Sequence, residues 1–293
     1  MNDVARDPDA GFGPAFAAPK GACDAHFHVF GPEWRYTYDP DVLRYRPPYE
    51  PMEHYQKLAR RLGFERFVFV QPSAYGMDNS CMLDAMRAMA PERRRGVIHL
   101  DETTVTDAEL AVWNALGVRG IRVNVPPAKK PEAGFADALR PRLLRYADIA
   151  REIGWHLELL TPGWLITELM PTLRELPIEF SVGHMGLFPA KGGVDQPGFR
   201  DFLALLGDGS GRCWIKLSGI YRISDDPDFA DVPPVAQALM AAAPDRAVWG
   251  TDFPHLSFQV DTIQLYNALG DWADAAARQR IFVDNPRRLY GFA

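Results

Sequence analysis

The segment Cys23–Pro32, CDAHFHVFGP, places His26 and His28 one residue apart at the end of an apolar run. Side chains alternate along an extended strand, so residues at period two share a face and can act on one atom. An imidazole can hold a metal, move a proton or donate to a growing negative charge. Two further segments offer partners, His184 in GHMG and Asp252 in GTDFPH. One histidine alone is most often a satisfied core residue, whereas three with a carboxylate make a set suited to acid–base work. At this level His26, His28, His184 and Asp252 can equally hold a metal or move protons at a substrate.

Rigid elements must carry such a set. Short apolar runs recur along the chain: ACDAHFHVF, FVFVQ, GVIHLD, GIRVNV, WHLELL, EFSVGHMG, CWIKLSG and AVWGTDFP. Helix-like segments with apolar residues three and four apart lie between them, among them TDAELAVWNALG, which ends on Gly117. Strands apolar on both faces that alternate with helices belong to a parallel sheet covered by helices, and this number of units predicts a single α/β domain, a (β/α)8 TIM barrel. A doubly wound open sheet is the rival fold; no G-x-G-x-x-G follows the first run.

Barrel sites form where strands end, so Gln71, Ser73, Arg122, Asn124, Ser218 and Arg222 join the candidates. Arg122 and Arg222, with Arg119, are expected to pair with substrate carboxylates. The stretch after the first run, GPEWRYTYDPDVLRYRPPYEP, holds four tyrosines and a tryptophan. A connection this long and aromatic predicts a lid or interface loop over residues 32–52.

Composition narrows the partners. A net charge of −6 gives no basic face for nucleic acid, and no stretch approaches the roughly 20 apolar residues of a membrane span. Cys23, Cys81 and Cys213 are far apart and odd in number, which predicts reduced thiols in a cytoplasmic protein. Residues 1–20 read as a flexible arm and 21–293 as the barrel; a homo-oligomer is compatible with this composition.

Taken in order, HVFGP, VQPSAYGMDN, RGIRVNV, GHMG, the lysine of WIKL, WGTDFPH and NPRRLYGF span nearly the whole chain. The set resembles the amidohydrolase superfamily, and within it the lactonase branch typified by the 2-pyrone-4,6-dicarboxylate lactonases. The resemblance implies a hydrolase opening a small carboxylate-bearing lactone: a pyrone dicarboxylate, a muconolactone or a sugar-acid lactone. It also implies work without a metal, with Arg122 and Arg222 on substrate carboxylates; in such a site Asp252 is the expected general base, taking a proton from water and returning it to the leaving oxygen, and His26, His28 and His184 are the expected donors to the carbonyl oxygen as it gains charge. The metal ligands usual in the superfamily are in part missing, since GIRVNV has no lysine to bridge two metals and WHLELLT ends in Leu159, Leu160 and Thr161. His156 lies about 13 Å below that strand end, at ~3.3 Å per residue. The expectation is therefore no cofactor; the alternative is a divalent metal such as zinc, held by His26, His28, His184 and Asp252.

The substrate shell departs from the pattern: Lys129 or Lys130 stands in place of a further arginine, Leu159 or Leu160 in place of a tyrosine, and Tyr75 in place of a histidine. Three rivals keep the same residues in use: a lactone isomerase of the galactarolactone kind, a metal-dependent amidohydrolase or decarboxylase, and a non-catalytic binder of acidic metabolites.

Overall fold

The computed structural model describes residues 13–43, 45–125, 134–256 and 258–293. Eight strands form one sheet: β1 (Cys23–Phe27), β2 (Arg66–Val70), β3 (Arg94–Ile98), β4 (Val118–Asn124), β5 (His156–Leu160), β6 (Phe180–Val182), β7 (Cys213–Lys216) and β8 (Ala247–Val248). Neighbours pair in parallel and in sequence order. The first strand meets the last through Ala25 N to Trp249 O at 2.9 Å, Asp252 N to His26 O at 2.8 Å and His28 N to Phe253 O at 2.9 Å. These bonds close the sheet into a barrel, which excludes the open doubly wound alternative.

Helices cover the outside: α1 (Met52–Leu62), α2 (Ser80–Arg87), α3 (Asp107–Leu116), α4 (Phe135–Ile153), α5 (Gly163–Glu175), α6 (Phe199–Leu206), α7 (Val232–Ala242) and α8 (Thr262–Ala268). Most bury an apolar stripe, as α1 does with Met52, Tyr55, Ala59 and Leu62, whereas α3 buries only Leu110 fully. Local signals set the ends: Thr106 and Glu109 form a capping box on α3, and Gly117 closes it at φ 109°.

The main core lies between strands and helices. A second cluster gathers alternate residues of β1, β2, β3, β7 and β8 (Cys23, Ala25, Val68, Val70, Val97, Trp214, Val248) with Leu289, Tyr290 and Phe292. Arg95, near the start of β3, donates to Tyr290 O and Gly291 O, so the chain's end plugs the barrel where the strands begin. The other end is left for chemistry.

Of the expected arm of residues 1–20, residues 1–12 lie outside the described residues. Phe16 stacks on Tyr266 at 4.4 Å under Arg278, and Ala15 N donates to Asn267 Oδ1, because an aromatic side chain gains by covering the edge of α8. The segment is docked. The aromatic stretch after β1 is tied at its base by the Phe30–Glu50 bridge and anchored by Arg35 and Tyr36 on Asp84.

Candidate active site

His26 and His28 both point to the mouth of the barrel. Strict alternation would send Asp24 the same way, yet its carboxylate accepts from the Tyr55 hydroxyl of α1 and from Thr251 N and Oγ1. Phe27 stacks on the same Tyr55 at 4.0 Å. Residues three apart thus share the outer side, because the β1–β2 register shifts between Asp24 and Phe27. The irregularity turns Asp24 into an outer brace and leaves the histidine pair facing in.

Asp252 leaves β8 through a left-handed turn at φ 56°. Its neighbour in that turn, Gly250, has no room for a side chain, since a Cβ there would lie 2.5 Å from His26 Cβ. The close approach lets Asp252 Oδ1 reach 3.4 Å from His26 Nε2 and 3.5 Å from His28 Nε2. His184 Nε2 lies 3.8 Å from Asp252 Oδ2, and its Nδ1 lies 2.9 Å from Ser218 Oγ. Arg222 Nε donates to Oδ2 at 2.9 Å, and the Tyr221 hydroxyl donates to the same oxygen. The three histidines and the carboxylate expected to converge do so.

Burial alone would raise the Asp252 carboxyl, but the Arg222 guanidinium, with His184 and His28, holds it well below the usual carboxylate range. Burial and the Lys216 charge push His26 down to about 3, and burial pushes His28 and His184 down as well. Neutral imidazoles therefore face an ionised carboxylate. Two of these atoms, Asp252 Oδ1 and His26 Nε2, are buried without a hydrogen-bond partner among the described residues. Buried polar atoms are seldom left so, which makes this pair the candidate place for reacting atoms.

A layer of charge lies beneath. Lys216 of β7, fully buried, is bonded to Glu158 of β5 and donates to Ala25 O at 2.8 Å. Glu158 Oε1 and Lys216 Nζ each lie 3.3 Å from His26 Nδ1. Arg122 of β4, also buried, donates to Gln71 O and keeps its Nε unpartnered. Period two within β5 puts Glu158 on the inner face with His156, and this was the available signal; the Lys216 pairing, across 58 residues, had none.

Other candidates scatter. Ser73 hydrogen-bonds the Tyr45 hydroxyl, which also feels the charges of Arg122, Arg222 and Asp252, so the aromatic loop leans over the mouth. Asn124 lines a cavity of about 220 Å³ with His99, Arg142 and Tyr146. Lys129 lies outside the described residues. Two expectations are corrected by position. Tyr75 is buried against Phe30 and Tyr38 with its hydroxyl on Gly31 N, so it supports the loop from below. Arg119 sits near the start of β4, donating to Asn114 and Val118 carbonyls at the plugged end, away from any substrate carboxylate at the mouth.

A divalent ion fits this donor set in part. One atom each from His26, His184 and Asp252 lies within 4.8 Å of the others, and His28 turns its Nδ1 to Val70 O in the manner of a metal ligand. Asp252 Oδ2 is already taken by Arg222 and Tyr221. The carboxylate's charge is thereby matched, and two guanidiniums stand near any added cation.

A closed parallel barrel that gathers a carboxylate and three imidazoles at its strand ends holds a candidate active site. The model described as amidohydrolase matches residues 23–292, and the chain belongs to the amidohydrolase family. It is 38% identical over 283 residues to a 4-sulfomuconolactone hydrolase of Hydrogenophaga intermedia, covering 94% of this chain and 90% of that protein. It is 32% identical to a 2-pyrone-4,6-dicarboxylate hydrolase of Comamonas testosteroni, covering 94% and 92%. A solved Pseudomonas putida structure grouped with the 2-pyrone-4,6-dicarboxylic acid hydrolases superposes with a TM-score of 0.79 at 34% identity, over 93% of this chain and 98% of that one.

Proposed function

We propose that this enzyme opens a small, carboxylate-bearing lactone by adding water, with Asp252 as the general base. The observation that carries the reading is Asp252 Oδ1, buried, ionised and unpartnered, 3.4 and 3.5 Å from two imidazoles at the barrel mouth. The named relatives act on sulfomuconolactone and pyrone dicarboxylate, both anionic cyclic esters, which supports the substrate class.

In the mechanism, Asp252 Oδ1 accepts a proton from water as the water oxygen bonds to the lactone carbonyl carbon. The carbonyl electron pair moves onto its oxygen, where imidazole N–H groups stabilise the charge; each such donor contributes about 3–4 kcal/mol. The pair returns, the ring C–O bond breaks, and Asp252 delivers the proton to the leaving oxygen, giving an open-chain acid. Arg122 and Arg222 hold substrate carboxylates; the Arg222 side chain keeps 23% exposure and can take an anion on its outer nitrogens.

Held by His26, His184 and Asp252, a divalent ion would supply an acidified water and a polarised carbonyl. The reading needs none, because the arginines and imidazoles already provide positive charge and donors. We also assign the enzyme to the cytoplasm from its three buried free cysteines. Among the described residues no helix is long and apolar enough to cross a membrane.

Purified enzyme tested on pyrone-dicarboxylate, muconolactone and sugar-acid lactones, with metal content measured and a chelator present, should open at least one, with NMR showing the ring-opened product. Failure on all of them, or an Asp252→Asn variant as active as wild type, overturns the reading. A shifted ring without added water points to an isomerase instead, and activity lost together with stoichiometric zinc points to a metal enzyme.

A further inference from the structure

His26 and His28 look alike in sequence, yet their inner nitrogens meet opposite partners. His28 Nδ1 lies 2.8 Å from Val70 O. A carbonyl only accepts, so Nδ1 carries the proton, and the neutral ring turns an Nε2 lone pair toward Asp252 Oδ1. For His26 two neighbours compete at 3.3 Å from Nδ1, the Lys216 ammonium and Glu158 Oε1.

The donors of Lys216 decide between them. Its ammonium is fully buried and has three N–H groups to place. Glu158 Oε2 takes one, Ala25 O takes a second at 2.8 Å, and His26 Nδ1 is within reach of the third. Were His26 Nδ1 to donate to Glu158 instead, the third N–H of a buried ammonium would lose its acceptor. With Lys216 as the donor, what is given up is one contact of Glu158 Oε1, on a carboxylate still bonded to Lys216 through Oε2. The first arrangement would also turn two Nε2 lone pairs on the Asp252 oxygen, which repel it with no proton among them.

We propose that Lys216, clamped by Glu158, donates to His26 Nδ1 and so fixes His26 as an Nε2–H donor, the opposite tautomer to His28. The adjacent histidines then divide the work. His26 donates to the carbonyl oxygen that gains charge, while His28 accepts from the attacking water beside Asp252. Lys216 and Glu158 touch no substrate; they are positioning residues acting through His26. The catalytic consequence rests on the lactone reading above, whereas the tautomers themselves do not.

The test is long-range proton–nitrogen NMR on the full chain labelled with [15N]histidine, in chelating buffer, with signals assigned from His26→Gln and His28→Gln variants. The expected spectrum has the proton on Nε2 of His26 and on Nδ1 of His28. A proton on Nδ1 of both rings overturns the proposal, and the wild-type spectrum alone suffices for that outcome. In Lys216→Met the His26 proton should move to Nδ1 and kcat fall about 100-fold with KM within about twofold. An unchanged His26 tautomer in that variant also overturns the proposal. If Lys216→Met does not fold, the wild-type spectrum decides the proposal by itself. Correct tautomers without lactone turnover would sink the lactone reading alone, and turnover with the wrong tautomers would sink this one alone.

Discussion

The two ends of the barrel hold similar residues in opposite states. Where the strands begin, Arg94 donates to Leu116 O at 3.0 Å and Met86 O at 2.7 Å, and Arg95 to Tyr290 O at 2.9 Å, Pro91 O at 3.0 Å and Gly291 O at 2.6 Å. Where the strands end, Arg122 Nε, His26 Nε2 and Asp252 Oδ1 are buried and unmatched. The same kind of side chain seals one end by saturating its bonds and serves the other by withholding them. A matched polar group adds to stability, while an unmatched one costs stability until a ligand arrives. The plugged end has its own exceptions, His156 and the Tyr290 hydroxyl.

The largest expected effect is at the open end. Asp252→Asn should lower kcat by about 10²–10⁴ while the fold persists, as steady-state kinetics and circular dichroism would show. Next is Arg122→Met, which should raise KM about 10- to 100-fold on a carboxylate-bearing lactone, the equivalent of ~1.5–3 kcal/mol for a charged hydrogen bond. A smaller and different effect belongs to the closed end. Arg95→Met should cost about 2–3 kcal/mol in urea unfolding by taking the guanidinium donor from the carbonyls of Tyr290, Gly291, Pro91 and Arg94, with kcat/KM unchanged. If Arg95→Met slowed turnover as Arg122→Met does, the division between the ends would fail.

Much of this contrast was legible in the sequence. Apolar runs marked all eight strands, because a strand buried on both faces is apolar at most of its positions. His26, His28, His184 and Asp252 stood out because each follows such a run at its polar end. Asp24 did not, since period two assigns it inward and only the register shift turns it out. Lys216 was noted only as one letter of the motif set, and its partner Glu158 was hidden: each is one charge inside an apolar run, and their contact joins β5 to β7 across the barrel interior. Arg119 shared a strand with Arg122 and was expected at the mouth with it. Three residues apart, they belong on opposite faces and about 10 Å apart along the strand. Tyr75 followed β2 as a site residue would, but its hydroxyl is held by Gly31 N, a loop contact that no spacing reveals.

His156 supplies the smallest of these tests. It packs 5.4 Å from Tyr290 at the plugged end, buried, with neither ring nitrogen matched. Burial, with the Lys216 charge, lowers it from 6.5 to about 4, the Glu158 carboxylate pulling the other way. Below 6.5 the unfolded chain therefore takes up a proton that the folded chain refuses. Its contribution is present above the unfolded value and is lost as pH falls through 6.5 toward 4. Between pH 7 and pH 5 that loss is about 2 kcal/mol. Asp24 runs the opposite way, because burial lifts its carboxyl to about 6 and its contribution is lost as pH rises through that value. Comparing wild type with His156→Leu at each pH cancels Asp24 and leaves the histidine. In urea unfolding the variant should lose about 2 kcal/mol less than wild type on going from pH 7 to pH 5. Equal losses would mean that His156 has found a partner, and the mouth would then be the barrel end where imidazole nitrogens stay open.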